Sequence, residues 1–290
     1  MKPQSFEYVP TRTLDAALEQ LARGGEDAKV LAGGQSLVPV MNLRLAQPGI
    51  LVDINPVDEL AHVETGDETI RVGALVRHRS LESAALGDAS LDALAGRVSA
   101  QIGHLPIRVR GTIGGSLAHA DPGAEWCLVA VALGAEVEIA RLAGRRTIPI
   151  DDFLQGPFTT ALEADELLVA LRLPRRPGWR YGFAEHARTH GAFALAGACV
   201  ALHSDGGTLR AARIAVMGMG GRAQRVGAAE EAVVGLRVKA APAAAASATA
   251  AAVEPVGYDE VSPAYLRALA GALVRRAMDD ALVGSGEERP

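Results

Sequence analysis

Two short stretches pair adjacent glycines with a hydroxyl-bearing residue: Ala32-Gly33-Gly34-Gln35-Ser36 and Thr112-Ile113-Gly114-Gly115-Ser116. A glycine pair at the end of a strand leaves backbone N–H groups with no side chain over them. Such concavities bind anions, phosphate above all. Ser36, Thr112 and Ser116 add hydroxyl donors beside them. One such stretch alone reads as a tight turn. Two of related form point to an anion site, and a diphosphate has enough anionic oxygens to be gripped from two sides. Neither stretch is a P-loop, because no Gly-Lys-Ser/Thr follows, so nucleotide hydrolysis is disfavoured.

Other candidate chemistry is sparse. Gly218-Met219-Gly220-Gly221-Arg222-Ala223 resembles a dinucleotide-binding fingerprint. The strand before it, however, is the second arm of a hairpin, which is antiparallel and wrong for a βαβ unit. No acidic residue lies where the ribose contact should fall, and Lys239 is near that place. We read it as a turn with structural glycines, with NAD binding there as the minority alternative. The two cysteines, Cys127 and Cys199, are too few for an iron–sulfur cluster or a structural zinc site and read as buried thiols. His186 and His190 share an extended segment with no carboxylate or cysteine to complete a set, so no metal site is expected. No acid–base dyad or nucleophile stands out, and no catalytic residue is assigned.

The elements that must position the glycines follow from periodicity. TLDAALEQLAR (13–23) has apolar residues at helical spacing, with Thr13 as N-cap and Gly24-Gly25 as the stop. AKVLAGG reads as a buried strand running into a turn, and Ser36 as the cap of a short helix that Pro39 enters early. GILVDIN (49–55), TIRVGALV (69–76) and DELLVALRLP (165–174) read as strands. SLESAALGD and LDALAGRVSA read as helical. DPGAEWCLVAVALG (121–134) reads as a helix capped by Asp121 with Pro122 at its first position. AEVEIARLAGRRTIPI reads as a hairpin turning near Ala143-Gly144. PRRPG (174–178) is the best domain boundary. Beyond it, RYGFAEHAR is extended, and two strands meet at Ser204-Asp205-Gly206-Gly207, a strong hairpin signal. RAQRVGAAEEAVVGL reads as a helix. The Ala-rich segment 240–252 fits a helix or a loose connector. SPAYLRALAGALVRRAMDDAL (262–282) is a final amphipathic helix with Ser262 as cap. The second half is therefore an antiparallel sheet with helices on it, an α+β module.

Length and composition set bounds. A chain of 290 residues favours two domains, and a net charge of −5 argues against nucleic acid as partner. MKPQSFEYVP has no signal-peptide pattern, and AFALAGACVAL (192–202) is too short to span a bilayer. The expectation is a cytoplasmic protein with no membrane span.

The two glycine stretches, with Asp121-Pro122 closing the second, resemble the flavin-binding signature of the FAD-containing medium subunit of molybdenum hydroxylases. The resemblance is strongest to the separate-chain medium subunit of the aerobic carbon monoxide dehydrogenase type. It extends over the whole chain: Phe6, Tyr8 and Pro10 at the start, Ile107, Arg108 and Gly111 ahead of the second stretch, Glu166 to Leu168, and the C-terminal YLRALAGALVRRA.

The resemblance implies an α+β fold. Residues 1–176 would be an FAD-binding domain of the vanillyl-alcohol oxidase type, with subdomains of about 1–57 and 58–176. Residues 177–290 would be the family's small C-terminal α+β domain. Ala32, Gly33, Gly34, Gln35, Ser36 and Leu37 would wrap the FAD pyrophosphate. Thr112, Ile113, Gly114, Gly115 and Ser116 would approach from the other subdomain. Asp121 would accept from sugar or ribityl hydroxyls, Leu168 would meet the adenine or flavin region, and Phe193 would sit near the isoalloxazine. Three positions depart from the family pattern: Glu185 where some members have lysine, Ala192 in place of an aspartate, and His119 where a small polar residue is common. The implied partners are a small [2Fe–2S] subunit and a large subunit with the molybdenum cofactor, in a dimer of heterotrimers that passes electrons through this FAD to an external acceptor. The rival readings are a stand-alone FAD reductase or oxidase of the same fold, and a nucleotide-binding scaffold without redox work.

Overall fold

The computed structural model describes residues 2–257 and 261–282; positions 258–260 and 283–290 of the expected C-terminal domain lie outside the described residues. The chain opens with β1 (Glu7–Pro10), α1 (Leu14–Gly24), β2 (Ala28–Leu31), α2 (Leu37–Asn42) and β3 (Ile50–Asp53). The three strands form a parallel sheet in the order β1-β3-β2. Helix α1 forms as its spacing dictates. The Thr13 hydroxyl accepts from the Ala16 N–H, and Leu14, Ala17, Leu18 and Leu21 are buried on the sheet side. Each such burial contributes about 1.5–3 kcal/mol for the larger side chains.

Next come β4 (Val63–Thr65), β5 (Thr69–Gly73) and five helices: α3 (His78–Leu81), α4 (Ala89–Gln101), α5 (Leu105–Arg110), α6 (Ile113–His119) and α7 (Glu125–Leu133). The hairpin β6 (Glu136–Arg141) and β7 (Gly144–Pro149), the short α8 (Ile150–Phe153), the pair β8 (Leu154–Gly156) and β9 (Thr159–Thr160), and β10 (Leu167–Pro174) complete the first half. These build an antiparallel sheet in the order β4-β5-β10-β6-β7.

The remainder is β11 (Trp179–Ala187), β12 (Ala194–Asp205), β13 (Thr208–Met217), β14 (Gln224–Arg225), α9 (Gly227–Val233), α10 (Ala241–Ala252) and α11 (Pro263–Leu282). The four strands pair antiparallel in sequence order. Helices α9 and α11 cover one face of this sheet and α7 the other, so α7 lies between the second and third sheets. That explains why Trp126 through Leu133 are all buried. The Arg176 and Arg213 guanidiniums donate to the Leu133 and Ala132 carbonyls at the end of α7. They satisfy acceptors that a helix end leaves open.

Three sequence expectations need correction. Asp121 does not cap α7. Its Oδ1 accepts from the Gly123 N–H two residues on, at 2.8 Å, and the helix starts at Glu125 with Ala124 at the N-cap position. A local Asx turn has outcompeted the cap. SLESAALGD is helical only at its start, because Asp88 caps α4 and Gly87 takes a φ of +86° before it. RAQRVGAAEEAVVGL is helical only over Gly227–Val233; Gln224 and Arg225 instead pair with β13. The Ala-rich segment, open between two readings, is the helix α10. The Gly218–Ala223 stretch is a turn after an antiparallel strand, with positive φ at Gly218, Gly220 and Gly221.

Candidate functional site

The first glycine stretch is an open turn between β2 and α2. Gly34 adopts a φ of +72°, which only glycine takes without strain. Among the described residues, the N–H groups of Gly33, Gly34, Gln35, Ser36 and Leu37 have no acceptor in the protein. Ser36 occupies the N-cap position of α2, yet its side chain makes no capping bond and is exposed. A run of unpaired N–H groups at a helix start, beside a free hydroxyl, is what an anion needs.

The second stretch differs. It is no loop but the first turn of α6, with Thr112 as N-cap. Four of its five N–H groups, those of Ile113 to Ser116, are already used. Ile113 donates to the Val76 carbonyl at 3.0 Å and Gly114 to the Ala74 carbonyl at 3.0 Å. Gly115 donates to Thr112 Oγ1 at 3.1 Å and Ser116 to the Thr112 carbonyl at 3.0 Å. Thr112, Ile113 and Gly114 are buried; Gly115 and Ser116 are partly exposed. A Cβ at Gly114 would lie 2.5 Å from Ala74 Cβ, so glycine is required there by packing. The expectation that Ile113 and Gly114 offer free donors is corrected: their N–H groups are spent on carbonyls just after β5, while Thr112 is buried and its hydroxyl accepts the Gly115 N–H. Only Gly115 and Ser116 keep an open face.

The two stretches are nonetheless brought together. A Cβ at Gly33 would lie 2.9 Å from Gly111 Cα and would overlap the Arg110 carbonyl. Gly33 thus lets the first turn close onto the lead-in of α6. Around this contact runs a polar network that the sequence reading did not single out. Asn55, two residues beyond β3, donates from Nδ2 to the Ala32 carbonyl at 2.8 Å and to Asp53 Oδ1 at 2.5 Å. Its Oδ1 accepts from Arg77 Nη2 at 2.6 Å, and Arg77 Nη1 donates to the Arg110 carbonyl. Asp53 is 7% exposed; burial alone would raise its pKa, but bonds from the Tyr8 hydroxyl and from Asn55 hold it below the usual carboxylate range. Burial, with Arg110 nearby, lowers the pKa of Arg77. The only signal for these residues was the turn-forming Asn55-Pro56 after an apolar strand.

The outer site residues fall in two places. The Asp121 turn abuts the start of β12, since a Cβ at Gly123 would lie 3.3 Å from the Ala194 carbonyl. Phe193, 78% exposed, is the residue just before. Asp121 and Phe193 therefore share one neighbourhood. Leu168 lies apart from them, 3% exposed in β10 and within the core under the second sheet. His119 packs on the Phe158 ring with centroids 5.0 Å apart. Two perturbed carboxyls lie on this side of the protein: Glu125, which nothing in the sequence singled out, and Glu185, one of the departures from the family pattern. Burial pushes Glu125 up to about 8, helped by Glu185 and Asp121, and pushes Glu185 up to about 7. Cys127 and Cys199 are buried free thiols. Among the described residues no His, Cys, Asp and Glu cluster could hold a metal ion, and no helix is long and apolar enough to cross a membrane.

A turn of unpaired N–H groups, at the edge of a parallel sheet and against the head of α6, is suited to an anionic group in a protein of the α+β class. Comparison with known families gives the particular group. Residues 4–176 match the FAD binding domain in molybdopterin dehydrogenase, and residues 181–281 match the CO dehydrogenase flavoprotein C-terminal domain. The chain belongs to the family of FAD-binding subunits of molybdenum-dependent dehydrogenases. It is 41% identical to the 6-hydroxypseudooxynicotine dehydrogenase complex subunit alpha of Paenarthrobacter nicotinovorans, over 97% of this chain and 96% of that protein. It is 36% identical to the carbon monoxide dehydrogenase medium chain of Hydrogenophaga pseudoflava, over 97% and 98%. The solved quinoline 2-oxidoreductase from Pseudomonas putida 86 superposes with a TM-score of 0.93 at 35% identity, covering 99% of this chain and 100% of that one.

Proposed function

We propose that this chain holds FAD as the electron-transfer subunit of a molybdenum hydroxylase. The observation that carries the reading is the first glycine turn, with its unpaired N–H groups, pinned against the head of α6. The residues fit the cofactor. Gly33, Gly34, Gln35, Ser36 and Leu37 supply backbone donors for the diphosphate, with Ala32 at the turn's entry. Ser36 adds a hydroxyl, and Arg110 adds positive charge beside the turn. Gly115, Ser116 and Asp121 form the opposite wall, while Thr112, Ile113 and Gly114 brace it from below. Phe193 offers an apolar face to the ring region. Bound FAD would accept electrons singly from [2Fe–2S] clusters and pass them on to an external acceptor. The chain's own part is to bind, orient and shield that group.

The partners that complete this role are a small [2Fe–2S] subunit and a large subunit carrying the molybdenum cofactor, as a dimer of heterotrimers in the cytoplasm. Within the chain, residues 1–176 form the FAD-binding domain, divided near residue 57, and residues 177–290 the C-terminal domain. Substrate choice belongs to the large subunit. The test is the visible spectrum of the purified chain with added FAD, followed by desalting, and the same measurement on the chain co-expressed with its partner subunits. Flavin bands retained in either preparation support the reading; none in both overturns it. Turnover of a substrate by the chain alone would favour a stand-alone flavoenzyme instead.

A further inference from the structure

We propose that Asn55 and Arg77 are positioning residues: together they clasp the two glycine stretches and hold the first turn in its binding shape. The inference rests on the reading that this turn grips the FAD diphosphate.

The path is continuous. The Ala32 carbonyl, at the entry to the first turn, accepts from Asn55 Nδ2 at 2.8 Å. Asn55 Oδ1 accepts from Arg77 Nη2 at 2.6 Å, and Arg77 Nη1 reaches the Arg110 carbonyl. That carbonyl is the group against which Gly33 rests. The ring is therefore closed: turn, Asn55, Arg77, Arg110, and back to the turn by direct packing. Neither side chain has a free choice of orientation. The Asn55 amide has acceptors on its nitrogen side, Ala32 and Asp53, and a guanidinium on its oxygen side, so its flip state is fixed by its partners. Arg77 uses two nitrogens of one planar fork on two different acceptors, which a lysine ammonium cannot match in geometry. The backbone agrees, because Arg77 and Thr112 form an isolated antiparallel bridge. Arg77 thus sits where the second stretch begins, and Asn55 where the first sheet ends.

A clasp of this kind acts on the cofactor indirectly. It leaves the turn's N–H groups free while fixing the carbonyl side of the same turn, so the donors point outward before any ligand arrives. Preorganised donors bind more tightly because less ordering is left to be done.

The test is a double-mutant cycle in the full 290-residue chain. FAD dissociation constants are measured for the wild type, Asn55→Ala, Arg77→Ala, the double variant and Arg77→Lys. Each single alanine variant should weaken FAD about tenfold, and the double variant little more than the weaker single, since one broken link opens the ring. Arg77→Lys should stay weak. Val274→Ala, in the distant C-terminal core, serves as a comparator that lowers the melting temperature without touching the clasp. Its FAD affinity should be unchanged. Amide hydrogen exchange of the ligand-free chain gives a second readout: exchange over 32–37 should rise in both alanine variants while β12 and β13 keep their protection. Additive losses, full rescue by Arg77→Lys, or unchanged exchange over 32–37 would each overturn the clasp. A wild type that binds no FAD, alone or co-expressed with its partner subunits, would overturn the cofactor reading instead, and the exchange measurement would still decide the clasp.

Discussion

The two glycine stretches look alike on paper and do opposite jobs. Both have a glycine pair, a hydroxyl and a following helix. In the first, the N–H groups are unpaired, the cap hydroxyl is idle, and Gly34 needs its positive φ. In the second, the N–H groups of Ile113 to Ser116 all have acceptors, the cap hydroxyl is in use, and Gly114 is required by packing against Ala74. The first stretch has donors to give; the second has spent its own on being held in place. The lesson is that glycine marks close approach in both cases, but whether the approaching partner is a ligand or the protein's own backbone is decided elsewhere in the fold.

That contrast makes distinct predictions. The largest effect is expected at Gly114. Adding one methyl there drives it to 2.5 Å from Ala74 Cβ, with the Ala74 backbone at 2.8 Å, so neither neighbour can swing aside. Gly114→Ala should cost about 3 kcal/mol of stability, the upper end for overpacking a tight core site. Chemical denaturation measures this. The folded fraction should still bind FAD, which distinguishes a brace from a binding wall. Gly33→Ala should do the reverse. Its new methyl meets the Arg110 carbonyl and forces the turn away from α6. FAD affinity should fall about 100-fold, equivalent to ~2.7 kcal/mol, with a smaller loss of stability than in Gly114→Ala. If the two variants gave the same ratio of stability loss to affinity loss, the division of labour would be wrong.

Acid provides a second way to separate the regions. His78 lies under the second stretch, with its ring against Gly111, and no acceptor meets its buried Nδ1 among the described residues. Burial, then the neighbouring Arg77, pushes its pKa down to about 4. The unfolded chain takes up this proton near 6.5, whereas the folded chain does not until about 4. The contribution to stability is therefore present above 6.5 and lost as pH falls toward 4, at about 1.4 kcal/mol per pH unit. Glu125 and Glu185 run the other way. Their raised pKa values stabilise the fold below the unfolded carboxyl value, and this is lost as pH rises through about 7 to 8. The two trends overlap, so the wild-type curve alone does not isolate His78. The difference between wild type and His78→Gln between pH 6.5 and 4.5 does, and it should carry the His78 slope. A flat difference would remove His78 from the support of the second stretch.

Much of this was legible in the sequence, and the part that was not has a common cause. Helix α1, the Asp205–Thr208 hairpin and α11 with its Ser262 cap follow from local spacing and turn chemistry. The proximity of the two glycine stretches followed from their shared anion chemistry and from the resemblance, and their unequal use of N–H groups did not follow at all. The acceptors for Ile113 and Gly114 are carbonyls of Val76 and Ala74, more than 30 residues earlier in the chain. No local pattern announces such a pairing. Asn55 and Arg77 were hidden for the same reason, since each acts on backbone groups far away in sequence. Asp121 failed in the opposite way: its local Asx turn to Gly123 was too local to be seen as a competitor for the cap.

The finest comparison sets one hydroxyl against the other. Ser36 and Thr112 both stand at helix N-cap positions, and removing a cap hydroxyl typically costs about 1 kcal/mol of stability. That cost should appear only at Thr112. Thr112→Val strips the acceptor from the buried-side Gly115 N–H, and its loss should show as a drop of ~1 kcal/mol in denaturation with FAD affinity per folded molecule little changed. Ser36→Ala removes a hydroxyl that caps nothing, so stability should stay within about 0.5 kcal/mol. Its effect should be on the ligand: one hydrogen bond to a charged phosphate oxygen, about tenfold in the FAD dissociation constant. Two near-identical deletions would thus move two different observables. Equal stability losses would mean that Ser36 caps α2 after all, and that the first stretch, like the second, spends its polar groups on its own fold.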